Sequence, residues 1–176
     1  MVAIALAAGG IACADDLPPS AEWQVTESVT PLTGAASVTA VLPSSNTLTN
    51  YIGAADRAEL VLRCQDGVLA TYVTWPEVLL ISGNSLAGDY QTMVLWKIDA
   101  GQIAANFWDR SSTGTAAGKF TTGGAVKVIG KLIPAHQLVV RMSGQMTQDA
   151  VFDLGDVGGI AARIARPCGV TWSAAK

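Results

Sequence analysis

The segment from Leu60 to Trp75 leaves the backbone fewer choices than any other part of the chain. Leu60-Val61-Leu62-Arg63-Cys64 and Val68 to Trp75 are two apolar, β-branched runs separated by Gln65-Asp66-Gly67. An Asp-Gly pair between such runs supplies the positive backbone angles that a tight hairpin turn requires. The period of two on the second arm puts Val68, Ala70, Tyr72 and Thr74 on one face and Leu69, Thr71, Val73 and Trp75 on the other. A hairpin with one apolar face must find more sheet or a helix to cover it, so the rest of the chain is read for partners.

Upstream, Trp23 to Val29 alternates as a first strand that Pro31 ends, and Ser37 to Leu42 reads as a second strand ending at Pro43. Ser44 to Asp56 is polar and punctuated, a loop. Downstream, Tyr90, Thr92, Val94, Trp96 and Ile98 share one face of a strand, Asp99 to Gln102 makes a turn, and Ile103 to Trp108 returns. The Ser, Thr and Gly-rich run from Arg110 to Gly124 reads as a mobile loop. Val126, Ile129, Leu132 and Ile133 fall at helical spacing, with Lys127 and Lys131 one turn apart on another face, so a short helix ending at Pro134 is expected. Leu138 to Met142 and Ala150 to Leu154 are two strands about a turn at Ser143 to Asp149, followed by a helix from Ile160 to Ala165 that Pro167 stops. These elements predict one mainly β domain over residues 23 to 172, an antiparallel β-sandwich or half-barrel of about seven or eight strands with one or two short helices.

Composition agrees with one domain and removes several functions. The chain has 176 residues, half of them hydrophobic, enough for a single core burying roughly 70% of the unfolded surface. Only 14% of residues are charged and the net charge is -3, with the eleven Lys and Arg scattered, so neither a nucleic-acid footprint nor a polybasic membrane tract is present.

The apolar run Val2 to Ile11 has the length of a signal-peptide core and is too short to span a bilayer. Ala12-Cys13-Ala14 offers an A-x-A site with cleavage after Ala14. The competing lipobox reading would lipidate Cys13, although Gly10 stands where Leu is usual and no Lys or Arg precedes the run. Residues 1 to 14 are thus read as a signal peptide, 15 to 22 as an extended leader, and the mature chain as exported without a transmembrane segment. Export leaves two cysteines, Cys64 and Cys168, 104 positions apart. An even pair in an oxidising compartment predicts a disulfide, worth about 4.7 kcal/mol at most for a loop this long. The alternative is two buried small hydrophobes.

The order of features resembles the periplasmic type VI secretion-associated family called VasI or TagO. The features are a Trp-opened strand at Trp23, a strand ending in Arg63-Cys64, a strand ending in Trp75, a turn at Asp99-Ala100-Gly101, and Trp108. A helix, Leu138 to Arg141, Phe152-Asp153-Leu154, a second helix, and Cys168 with Trp172 follow. The chain is identified as a diverged member over residues 23 to 172, with a longer Cys-to-Trp spacing at its end. Membership implies an envelope accessory of the type VI apparatus and carries no catalytic residues with it.

A search for chemistry finds little. His136, the only histidine, lies in Pro134-Ala135-His136-Gln137 and reads as a solvated loop residue. Gly114 to Lys119 lacks the spacing and the Ser or Thr of a phosphate loop, and Gly155 to Gly159, with Asp156, reads as a turn and helix cap. Of the acids Glu22, Glu27, Asp56, Glu59, Glu77 and Asp153, only Asp153 sits inside an apolar strand, and an ion pair with Arg141 across the hairpin is expected. The five tryptophans suit the core and its edges, with Trp75, Trp96 and Trp108 the candidates for a binding surface. The expectation is a non-enzymatic periplasmic accessory with no metal or cofactor, binding a protein or peptidoglycan partner through the sheet face or the 110 to 124 loop. A prophage-encoded periplasmic factor and a wall-directed carboxylate hydrolase are the alternatives.

Overall fold

The structure is a computed structural model describing residues 22–84, 90–142 and 146–172. The expected cleavage after Ala14, the Cys13 lipobox and the leader up to residue 21 lie outside the described residues. The strands are β1 (Gln24–Val29), β2 (Ala36–Pro43), β3 (Leu48–Thr49), β4 (Ala55–Asp56), β5 (Glu59–Gln65), β6 (Val68–Thr74), β7 (Gly83–Asn84), β8 (Tyr90–Ile98), β9 (Ala104–Arg110) and β10 (Ala116–Lys119). After α1 (Thr122–Leu132) come β11 (Gln137–Met142), β12 (Asp149–Asp153), α2 (Val157–Ala165) and a 3-10 turn over Arg166–Cys168.

The Asp66-Gly67 signal forms as a two-residue hairpin loop: Gln65 pairs with Val68 across it, and both loop residues have positive φ, 50° and 77°. Around this hairpin grows one antiparallel sheet in the order β1-β2-β5-β6-β10-β9-β8-β11-β12, with β7 pairing β8 beyond the end of β11. The β3–β4 pair is a separate small hairpin inside the stretch expected to be a loop. Hydrogen bonds tie the two ends of the curled sheet together, in keeping with a β-sandwich or half-barrel. The segment after β2 docks on β12, where Ser45 N donates to the Val151 carbonyl at 2.7 Å and Asn46 Oδ1 accepts from Val151 N at 2.9 Å. Trp23 Nε1 donates to the Leu154 carbonyl at 2.8 Å, tying the start of β1 to the end of β12.

The concave face carries the core. Leu42, Leu60, Val73, Val94, Leu138, Val140 and Phe152 are all buried in one cluster. A second cluster, with Leu62, Leu69, Ile129 and Ile164, lies under the helices, and Trp23 and Ile133 touch both. Helix α1 begins at the Thr121 cap and packs on β6 and β10; α2 packs on β2 and β5. Asp156 caps α2 by accepting from Gly159 N at 2.9 Å, so that helix starts before Ile160.

Two expectations are corrected here. The 110 to 124 segment is not a mobile loop: after a hydroxyl-rich turn its residues 116–119 form β10, a central strand between β6 and β9. Its small side chains suit that place, because a Cβ at Gly118 would overlap the Thr71 carbonyl and the Tyr72 Cα. With β10 and the short β7, the main sheet has ten strands among the described residues. The expected Arg141–Asp153 ion pair does not form, because the register sets Arg141 opposite Asp149 and Gln137 opposite Asp153. Asp153 is therefore four residues away along the ladder, roughly 13 Å. Arg141 instead grips Asp149 through Nε at 2.6 Å and Nη2 at 2.7 Å, and this hydrogen bond holds the Asp149 carboxyl below its ordinary range.

The disulfide forms as expected. Cys64, buried on the concave face of β5, bonds Cys168 in the 3-10 turn, with Cα atoms 5.9 Å apart. The bond fastens the last described element to the most sequence-determined hairpin in the sheet.

Candidate functional site

The three tryptophans that were candidates for a binding surface belong to the core: Trp75, Trp96 and Trp108 are 3%, 7% and 4% exposed. Their strands place them inward, where Trp96 and Trp108 meet edge to face at 5.9 Å and the Trp96 indole N–H is satisfied by Asn106 Oδ1 at 2.8 Å. His136 is an exposed loop residue, as expected, and acts through its backbone. Its N–H and that of Gln137 donate to Asp99 Oδ1 at 2.9 and 2.8 Å, which lowers the Asp99 carboxyl below its ordinary range, Gln137 contributing most.

The acids are spread out. Glu27 pairs with Arg163 at 2.7 Å, Glu59 accepts from Thr74 Oγ1 at 3.2 Å, Asp153 accepts from Gln137 Nε2 at 3.2 Å, and Glu77 is buried, accepting from Met146 N at 3.1 Å. Among the described residues, none of the clefts described below brings two carboxylates together, and His136 lines none of them. Among the described residues no three His, Cys, Asp or Glu side chains converge as a metal site would need.

A groove of about 470 Å³ runs over β5, β6 and the turn that leads into β10. Arg63 and Tyr72 project from the outer face of the Asp-Gly hairpin, the guanidinium 5.6 Å from the centre of the Tyr72 ring, and the Phe120 ring packs against that tyrosine with centroids 5.4 Å apart. Such a stack fixes an arginine while leaving its N–H fork free. Arg110 ends β9 and packs over Gly114, whose φ of 78° and missing Cβ make the space: a Cβ there would overlap the guanidinium. Arg110 Nε is buried with no partner among the described residues. The same groove is lined by a chain of hydroxyls, Ser111 Oγ to Thr113 Oγ1 at 3.0 Å and Thr113 Oγ1 to Thr115 Oγ1 at 3.1 Å.

Two other openings already hold ion pairs. A cleft of about 140 Å³ on the outer face of β8 and β11 is rimmed by the Arg141–Asp149 pair, and one of about 550 Å³ beside α2 contains the Glu27–Arg163 pair. In the Arg63–Arg110 groove neither cation has a carboxylate partner among the described residues. Sequence reasoning pointed to the loop but not to the arginines; the readable signal was Arg63 two residues before the hairpin turn with Tyr72 diagonal to it.

No protein-family model matches the chain, and no curated protein does. Among solved structures, the chain is similar to the crystal structure of invasion associated protein B from Bartonella henselae, at 12% identity with a TM-score of 0.45, over 81% of this chain and 92% of that one. That likeness is too loose to carry a function across.

Proposed function

We propose that this protein is a non-enzymatic accessory of the bacterial envelope, associated with type VI secretion, that holds a carboxylate-bearing protein or cell-wall partner in the Arg63–Tyr72–Arg110 groove. The groove carries the reading. Two pre-positioned guanidinium groups, unpaired within the described residues, match carboxylates in a bidentate way, and the hydroxyl row and aromatic ring beside them suit a polar, partly flat partner.

The Cys64–Cys168 bond supports an extracytoplasmic setting, since disulfides persist in oxidising compartments. Among the described residues no helix is long and apolar enough to cross a membrane. The ordered features from Trp23 to Trp172 support the link with type VI secretion, and the scattered acids support binding over hydrolysis.

Sedimentation with purified sacculi and pull-down from envelope fractions test the reading. Wild-type protein should be captured in one of them, and Arg63→Gln with Arg110→Gln should lower capture by about tenfold or more, since charge-assisted hydrogen bonds are each worth about 1.5–3 kcal/mol. Equal capture of the double variant would refute it.

A further inference from the structure

A second cleft, sharing no residue with that groove, is lined by residues of α1, β8, β9 and the end of β10. It measures about 180 Å³ and gathers Lys119, Lys127 and Lys131, three of the five lysines in the chain. The whole protein is acidic, yet among the described residues no Asp or Glu lines this cleft.

Neutral groups hold the lysines in place. Lys131 Nζ lies 5.2 Å from the centre of the Trp96 ring, and Lys119 Nζ donates to the Phe107 carbonyl at 3.1 Å. Lys127 stands one turn before Lys131 on α1, a spacing at which like charges repel. None of the three has an ion-pair partner among the described residues. Asn106, its Oδ1 taken by the Trp96 indole, keeps its amide hydrogens as donors at the same cleft. Three ammonium groups around one small opening, two of them fixed and none neutralised, focus a positive potential that only an anion relieves.

We infer that this cleft binds a phosphate group. Lysines bind phosphate as converging point charges, without the planar fork that favours a carboxylate. The opening is smaller than the clefts that take drug-sized ligands, so it fits a compact polyvalent head, while Phe107 and Val128 line it with apolar surface for the organic part of an ester. The phosphate arrives either on a lipid headgroup or as a soluble ester or ion.

The test follows intrinsic tryptophan fluorescence, because a ligand that draws Lys131 from the Trp96 ring changes the emission of that indole. Full-length protein is titrated at low salt with inorganic phosphate, with acetate, with phosphatidic acid vesicles and with phosphatidylcholine vesicles. The same titrations use Lys119→Gln/Lys127→Gln, which keeps Lys131 on the Trp96 ring as the reporter, and a control, Arg163→Gln/Arg166→Gln, with the same change in net charge. Saturable binding of inorganic phosphate or of phosphatidic acid vesicles, reduced at least tenfold in the lysine variant and less than twofold in the control, supports the site. Binding of the vesicles alone assigns the source to lipid, and binding of the ion assigns it to soluble phosphate. No saturable binding of either probe, equal losses in both variants, or acetate binding as tightly as phosphate overturns the proposal. Lys119→Gln alone gives the same reading if the double variant fails to fold. Capture of an envelope partner through Arg63 and Arg110 is measured separately, so either site can fail without the other.

Discussion

The Trp23 indole nitrogen donates to the Leu154 carbonyl at 2.8 Å across 131 positions of sequence, and this bond joins the first strand to the end of the last. A curled sheet with two free edges would otherwise present unpaired backbone to other chains. Trp23→Phe keeps most of the apolar surface and removes the donor. It should cost about 0.5–1.5 kcal/mol, read as a lower urea midpoint with an unchanged slope.

The disulfide is a stronger fastener. Reduction, or Cys64→Ala with Cys168→Ala, should lower stability by as much as about 4.7 kcal/mol in the chain-entropy limit. Thermal melts with and without reductant check this, and coincident midpoints would show that the bond contributes nothing. Alkylation of the native protein without reductant should leave both cysteines unlabelled.

Gly118 and Gly130 make a paired prediction. Gly118 in β10 has no room for a Cβ against Thr71 and Tyr72, so Gly118→Ala should destabilise by about 2–3 kcal/mol through overpacking. Gly130 on the exposed side of α1 has open space, so Gly130→Ala should stabilise by about 0.5–1 kcal/mol. Chemical denaturation of the two variants reads both signs.

The pH dependence follows from Asp99. Its carboxylate accepts from the backbone of Gln137 and His136, which holds its folded pKa below the ordinary carboxylate range. A depressed carboxyl contributes stability that is present above its unfolded pKa and lost as pH falls through the folded one. Asp99→Ala should therefore destabilise the protein at neutral pH and flatten its stability loss on acidification below about pH 4. Denaturation midpoints at pH 7 and pH 3 measure the difference.

The elements most legible in the sequence were those whose signal is local. Asp66-Gly67 declares its turn through backbone angle, Tyr90 to Ile98 declares its strand through a period of two, and Val126 to Ile133 declares α1 through a longer one. The Cys64–Cys168 pairing was legible because only two cysteines remain after the expected cleavage. What escaped depends on register or on distant packing. Strand β10 has no alternation, since Ala116, Ala117 and Gly118 are chosen for lack of volume between neighbours far away in sequence. Arg141 finds Asp149, not Asp153, because the hairpin ladder begins earlier than the apolar run suggests. The inward turn of Trp75, Trp96 and Trp108 needs the curl of the sheet, and the meeting of Arg63 with Arg110 needs β10 between β6 and β9.

The central claim is that the Arg63–Tyr72–Arg110 groove is where the protein meets its partner. A photo-crosslinking residue placed at Thr113, on the exposed rim of the groove, tests it in cells, with the same residue at the exposed Leu32 for comparison. The account predicts an envelope adduct at position 113 that disappears with Arg63→Gln and Arg110→Gln. An adduct at position 32 but not at 113, or one at 113 indifferent to both substitutions, would contradict it.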